Sequence, residues 1–501
     1  MTKPVEIDAE AISSGVPGLD YVLRGGFPAS RSHLIEGRPG SGKTTLGLQF
    51  LMDGRDRGER CLYITLSESR RELMAVAHRH GFDLNGIEIF ELVPPELSLD
   101  QSQHQTLVHS SDLELGETVQ IALNEIDRLK PQRVVFDSLS EIRLLSQGTL
   151  RYRRQVLALK SYFLLNDCTV LLLDDLTSEQ DDLNLHSVCH GVVRLDQLAP
   201  IYGGERRRLR VIKMRGVQIR GGYHDFVIRP GGLTVFPRLV ASDHPVALER
   251  DVVVSNTRLD TLLGGGLARG TSTLLMGPSG TGKSSIALAF VRAALERGES
   301  AFFIVFDETM NVVLERASGM GFALEPHIQS GKLRLVQVDP AEVSPGELSA
   351  RIRDAVEDFD ARIVVIDSLS GYLNAMPEEN YLVLQMHEIL SYLNQKGVVT
   401  LLLLASHGLV GQMTNAVDLT YVSDNVLLLR YFEAEGRIRR AVSVVKKRTG
   451  AHEDTIREFT LSNEGIVVGN ALSDFTGVLT GVPTYRGPEA KLMKPPTPGA
   501  S

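Results

Sequence analysis

Tryptophan is absent from this 501-residue chain, and aromatic residues of all kinds make up only 6% of it. Cysteine occurs three times, at Cys61, Cys168 and Cys189, with no spacing that suits a metal, so buried or incidental thiols are expected. No run of 18 apolar residues is present, and no signal peptide is recognisable, so the cytoplasm is the expected location and no membrane partner is expected. Nor is there an excess of positive charge. The net charge of −9 does not favour a nucleic-acid binder, although a local basic groove is compatible with it. What remains, 43% hydrophobic and 23% charged residues, describes an ordinary soluble protein.

Two phosphate-binding loops stand out against this background. The first runs Gly37-Arg38-Pro39-Gly40-Ser41-Gly42-Lys43-Thr44, followed by Thr45; the second runs Gly277-Pro278-Ser279-Gly280-Thr281-Gly282-Lys283-Ser284, followed by Ser285. Both match G-x-x-x-x-G-K-[ST], in which glycines let backbone N–H groups turn inward around phosphates. The lysine reaches the terminal phosphates, and the hydroxyl of Thr44 or Ser284 ligates Mg²⁺. Each loop follows an apolar run and precedes a helix-like one, which is the context the motif requires.

The loop lysines are 240 residues apart, and the repeat extends well beyond them. Gly18-Leu19-Asp20 echoes Arg258-Leu259-Asp260; Phe136-Asp137-Ser138-Leu139-Ser140 echoes Ile366-Asp367-Ser368-Leu369-Ser370; Lys213-Met214-Arg215 echoes Lys446-Lys447-Arg448. Constant order with small drift predicts two homologous domains, near 5–240 and 247–470, joined around Ala241–Pro245, with a C-terminal segment and flexible tail over 471–501. Apolar runs at 60–66, 133–137, 169–173, 301–306, 362–367 and 398–404 alternate with longer amphipathic ones. That pattern predicts an α/β fold with mostly parallel sheets covered on both faces, and ligands beyond the carboxyl ends of strands.

Four groups of residues carry the expected chemistry. Asp137 and Asp367 each close an apolar strand, where a carboxylate can hold the Mg²⁺ shell. Glu68 and Glu308 end the strand after the loop helix and are placed to activate water or a hydroxyl. Asp307 precedes Glu308, whereas Ser67 precedes Glu68, so the second site has a carboxylate pair that can raise one pKa. Late in each domain, Lys213 and Arg215, like Lys446 and Arg448, alternate by two and so face one side of a strand. Arg206 to Arg208 and Arg437, Arg439 and Arg440 lie just upstream. Such cations either form a solvated edge or reach a neighbour's nucleotide in a closed ring.

In these residues the chain resembles the KaiC-like RecA-fold ATPases over about residues 12 to 485. The resemblance implies tandem RecA-like P-loop NTPase domains, ATP and Mg²⁺ as cofactors, and a homohexameric double ring with ATP between neighbours. It implies that Arg207, Lys213, Arg215, Arg440, Lys446 and Arg448 approach the next subunit's nucleotide, and that Glu308, with Asp307, activates an acceptor hydroxyl. The family's Ser-Thr acceptor pair falls on Thr420 and Tyr421, and a third family threonine on Asn415. The first domain has no matching pair, reading His186-Ser187 instead. KaiB-like or signalling proteins are implied as partners. The tail from Pro483 onward does not match the segment that binds the activator KaiA, so KaiA is not expected. The leading reading is a ring-forming ATPase with serine/threonine autokinase activity in the second domain, a timer or switch. A RecA-like motor on single-stranded DNA and an ATP-gated scaffold with little catalysis are the alternatives.

Overall fold

The computed structural model describes residues 10–92, 111–146, 148–176, 183–200, 203–244, 251–374, 381–406, 419–434, 436–463, 465–480 and 483–485. The chain divides into two compact units, 1–238 and 239–501. Each is built on a nine-stranded sheet.

In the first unit the strand order across the sheet is Ile87–Glu91, Cys61–Thr65, Arg133–Asp137, Thr169–Asp175, Ser32–Gly37, Gly191–Leu198, Arg206–Met214, His224–Arg229 and Gly232–Phe236. The strands up to Gly191–Leu198 pair in parallel, and the last three join antiparallel. The second unit repeats the order with Leu333–Gln337, Ser300–Val305, Ala361–Asp367, Val399–Ala405, Ser272–Gly277, Asn425–Ala434, Arg437–Lys447, Arg457–Ser462 and Gly465–Ala471. The outer parallel strands and the antiparallel extensions are too polar on one face to show as apolar runs.

The central strands are apolar on both faces because both are covered. Val134 and Phe136 pack into one core layer and Val135 into the other; Val170 and Leu172 alternate with Leu171 and Leu173 in the same way. Each such side chain, fully buried, contributes about 1.5–3 kcal/mol of transfer free energy. The second unit has the same two layers, with Val364 and Ile366 on one face and Ile363 and Val365 on the other.

The units differ in one core corner. Arg133 is 1% exposed in the first. Its guanidinium meets Asp53 at 2.9 Å and Glu59 at 2.5 Å, donates to the carbonyls of Ser13 and Phe50, and lies over the Phe50 ring. Gly54 makes the room, since a Cβ there would sit 2.6 Å from Arg133 Cδ. In the second unit Ile363, Ala293 and Ala294 occupy the places of Arg133, Asp53 and Gly54, while Glu299, at the place of Glu59, pairs instead with Arg269 and Arg297. The stretch expected as the join begins inside the second unit: Ala241–Asp243 forms a 3-10 turn, and Ala241 packs against that unit's core. Asn415 and the chain from 486 onward lie outside the described residues.

Candidate nucleotide sites

Both phosphate loops leave the sheet at the carboxyl end of its Ser32–Gly37 or Ser272–Gly277 strand and run into a 14-residue helix, Lys43–Asp56 or Lys283–Glu296. Gly42 and Gly282 hold φ of 102° and 104°, where a side chain would be strained, and a Cβ on Gly42 would also meet Ile228 at 2.6 Å. The helix N-terminus therefore opens directly onto the loop, with its free N–H groups toward an anion. Gly37, Gly40, Gly277 and Gly280 complete the turns. Thr45 and Ser285 are buried in the first helical turn. Ser41 Oγ is buried with no hydrogen-bond partner among the described residues, whereas Thr281 donates to Pro278 O at 2.8 Å.

The loop lysines curl back over their own loops. Lys43 Nζ donates to the carbonyls of Gly37 and Arg38, and Lys283 Nζ to those of Gly277 and Pro278, at 2.8–3.1 Å. They differ in their anionic partner. Lys43 lies 2.6 Å from Asp175 at the end of the adjacent strand. The second unit has Ala405 there, paired with Gly277 as Asp175 is with Gly37. Burial pushes Lys283 down to about 8, opposed by the charges of Asp367 and Glu308.

The hydroxyl after each lysine meets the strand-end carboxylate. Ser284 Oγ donates to Asp367 Oδ2 at 2.6 Å, and Thr44 Oγ1 to Asp137 Oδ2 at 3.4 Å. Burial raises both carboxyls, Asp367 to about 6. In the first site Tyr63 OH also donates to Asp137, at 2.5 Å. Phe303 stands in its place in the second.

Glu68 and Glu308 are not helix caps. Ser69 caps the Arg70–His80 helix in a capping box with Glu72, and Thr309 holds the cap position of Met310–Gly319. Glu68 Oε2 is buried with no hydrogen-bond partner among the described residues, and burial, then Asp137, Glu72 and Asp175, push its pKa upward. Glu308 is held by Arg316, and Asp307 accepts a short bond from Ser368 Oγ. The expected carboxylate pair is thus divided between two partners, Ser368 for Asp307 and Arg316 for Glu308. The group lifted to about 6 is Asp367, because it is the buried one.

The late cations do not lie on one strand face as the alternation suggested. The strands end at Met214 and Lys447, so Arg215 and Arg448 sit one residue beyond. They still converge with their lysines on one segment. Lys213 and Arg215 donate to the carbonyls of His186 and Ser187. Lys446 donates to Thr420 O and Ser423 O, and Arg448 to Tyr421 O, all at 2.7 Å. Thr420 is half-buried and Tyr421 exposed. Arg207 pairs with Glu205, while Arg440 Nε donates to Gly280 O of its own phosphate loop at 3.3 Å.

His186 stands where the second unit has Thr420, and its Nε2 is 2.8 Å from the fully buried Glu36, which also takes Arg194 at 2.7 Å. Burial resists ionisation of Glu36, but His186 and Arg194 outweigh it and hold its pKa below the usual value. Met276 and Leu428 replace Glu36 and Arg194 in the second unit. Tyr63, Asp175, Arg316 and this triad have no motif of their own. The signal that reveals them is difference between the two halves at matched repeat positions.

Two duplicated sheets, each with a phosphate loop beside a strand-end carboxylate, define a tandem RecA-like P-loop NTPase. The KaiC ATPase family matches residues 12–240 and 256–473, and the chain belongs to that family. It is 25% identical to the circadian clock protein KaiC3 of Synechocystis sp., over 95% of each chain. It is 27% identical to the circadian clock oscillator protein KaiC of Synechococcus elongatus, over 94% of this chain and 91% of the relative. Among the described residues no helix is long and apolar enough to cross a membrane.

Proposed function

We propose that the chain is an ATP-hydrolysing, homohexameric ring protein with serine/threonine autokinase activity in its second domain, acting as a timer or signalling switch. The observation that carries this reading is the convergence, in each unit, of the loop lysine, the loop hydroxyl and the strand-end carboxylate around one helix N-terminus. These residues fit a nucleotide with its metal: the loop cradle is open to an anion, and a hydroxyl–carboxylate pair stands beside it. Thr44 with Asp137, and Ser284 with Asp367, would hold Mg²⁺, which when bound neutralises charge on the phosphates.

Lys43 and Lys283 bind the terminal phosphates. Glu68 orients water in the first site and takes its proton. In the second, the Thr420 hydroxyl attacks the γ-phosphorus, the bond from that phosphorus to the β,γ-bridging oxygen breaks, ADP leaves, and Glu308, with Asp307 beside it, receives the proton. Tyr421 carries its hydroxyl farther from the backbone, so one geometry does not serve both acceptors. Arg207, Lys213, Arg215, Arg440, Lys446 and Arg448 act in trans on a neighbour's phosphates. The grip of Lys446 and Arg448 on the 420–423 carbonyls supports a link between that nucleotide and the acceptor segment. The clock proteins among its relatives support the timer role.

Incubation with γ-labelled ATP and Mg²⁺, followed by phosphopeptide mapping and size analysis, tests this. Label on Thr420 in a hexamer is expected. A Thr420→Ala protein that labels as well as the parent sinks the acceptor assignment. In a Lys283→Ala background, first-domain hydrolysis unaffected by Glu68→Gln sinks the base.

A further inference from the structure

Glu308 is held in a way that Glu68 is not. Arg316, eight residues on, places Nη2 across the carboxylate, 2.7 Å from Oε1 and 2.6 Å from Oε2. The other guanidinium nitrogen, Nη1, is buried with no hydrogen-bond partner among the described residues. The pair belongs to the site and not to a remote surface, since Asp307 beside Glu308 accepts a bond from Ser368, the neighbour of Asp367. In the first unit the matched position is Val76, which packs against the core, and among the described residues no cation pairs with Glu68 within salt-bridge distance, Lys43 acting only from farther off.

A carboxylate acts as a base by offering a lone pair to a proton. A charge-assisted bond across both oxygens occupies lone pairs that would take the proton and fixes the rotamer. Proton transfer to Glu308 therefore requires the contact with Arg316 to loosen. Glu68 carries no such restraint.

We propose that Arg316 is a positioning residue that restrains Glu308 as a proton acceptor, so that the second domain hydrolyses ATP more slowly than the first. This rests on the reading of the two sites given above. Its consequence is a difference in turnover set by a single helix position, Val76 in one domain and Arg316 in the other.

The test uses the full-length chain. A Glu68→Gln background reads the second site, and a Glu308→Gln background reads the first. Arg316→Val is expected to raise second-site kcat about tenfold or more, a fraction of the span available to general-base catalysis. KM for ATP is expected to change little. Arg316→Lys, which keeps a cation, is expected to stay slow. Val76→Arg is expected to slow the first site, and it decides the matter independently if the Arg316→Val protein fails to fold. Unchanged kcat in Arg316→Val, or an unchanged first-site rate in Val76→Arg, overturns the proposal. A Glu68→Gln/Glu308→Gln protein that still releases phosphate at the parent rate would instead sink the assignment of the bases beneath it.

Discussion

Tyr63 donates its phenol to Asp137 at 2.5 Å, a bond the second unit lacks because Phe303 stands in its place. Burial raises the Asp137 pKa, and the phenol is the strongest influence holding it down. Tyr63→Phe removes that opposition, so Asp137 is protonated at higher pH. In a Glu308→Gln background the acid limb of first-site hydrolysis is expected to shift upward and the Mg²⁺ requirement to rise roughly tenfold, the scale of a hydrogen bond to a buried charge. pH–rate profiles at several Mg²⁺ concentrations measure both; an unmoved limb refutes the role.

Asp367 titrates near 6, raised chiefly by burial, with Ser284 opposing and Glu308 adding to the rise. A protonated carboxyl does not ligate metal. Second-site turnover in a Glu68→Gln background is therefore expected to fall as pH drops through about 6. Metal binds only the ionised form, so higher Mg²⁺ should move that limb to lower pH. A limb that ignores Mg²⁺ concentration would contradict the assignment.

Asp175 occupies Lys43 in the first site, 2.6 Å away, where a terminal phosphate would bind. The triphosphate must displace it and tolerate its charge. Asp175→Ala, which copies Ala405, is expected to lower the first-site Kd for ATP by about tenfold, or about 1.4 kcal/mol, with a smaller gain for ADP. Titration calorimetry in a Lys283→Ala background reads the difference. Equal or weaker ATP binding would show that Asp175 helps the lysine instead of competing for it.

Arg133 neutralises Asp53 and Glu59 inside the first unit. Arg133→Ala opens a cavity and takes from Glu59 its cation, while Asp53 keeps Arg57; with both acids partly exposed, the loss is expected to fall below the ~3–5 kcal/mol of a fully buried pair. Urea unfolding is expected to show the loss in the first unit, with the second transition unmoved. Arg133→Ile with Asp53→Ala, the second unit's own residues, should recover much of it; if the double variant is no more stable than Arg133→Ala, the loss is one of packing and not of charge.

The loops, the strand-end carboxylates and the central strands were legible because each is local: glycine spacing, or an apolar run closed by Asp137 or Asp367, is complete within a few residues. Glu68 and Glu308 could be placed by repeat offset, but not their environments. Arg316 reaches Glu308 from the next helix, and Asp175 reaches Lys43 from the neighbouring strand, so neither contact exists until the sheet is assembled. The alternation of Lys213 with Arg215 predicted a common face, yet both strands stop one residue short, and the shared target proved to be the 186–187 and 420–423 carbonyls. Outer strands such as Ile87–Glu91 gave no apolar run because only one of their faces is buried.

The Glu36–His186–Arg194 triad makes the first unit's departure from the second unit's residues at this place hard to reverse by mutation. Placing threonine at 186 alone would leave the fully buried Glu36 with one of its two partners, and changing Glu36 alone would take the shared carboxylate from both His186 and Arg194. The shortest route back to the second unit's arrangement passes through intermediates less stable than either end. The triad therefore works as a ratchet: it holds the two halves of one duplicated chain apart at the matched positions 186 and 420.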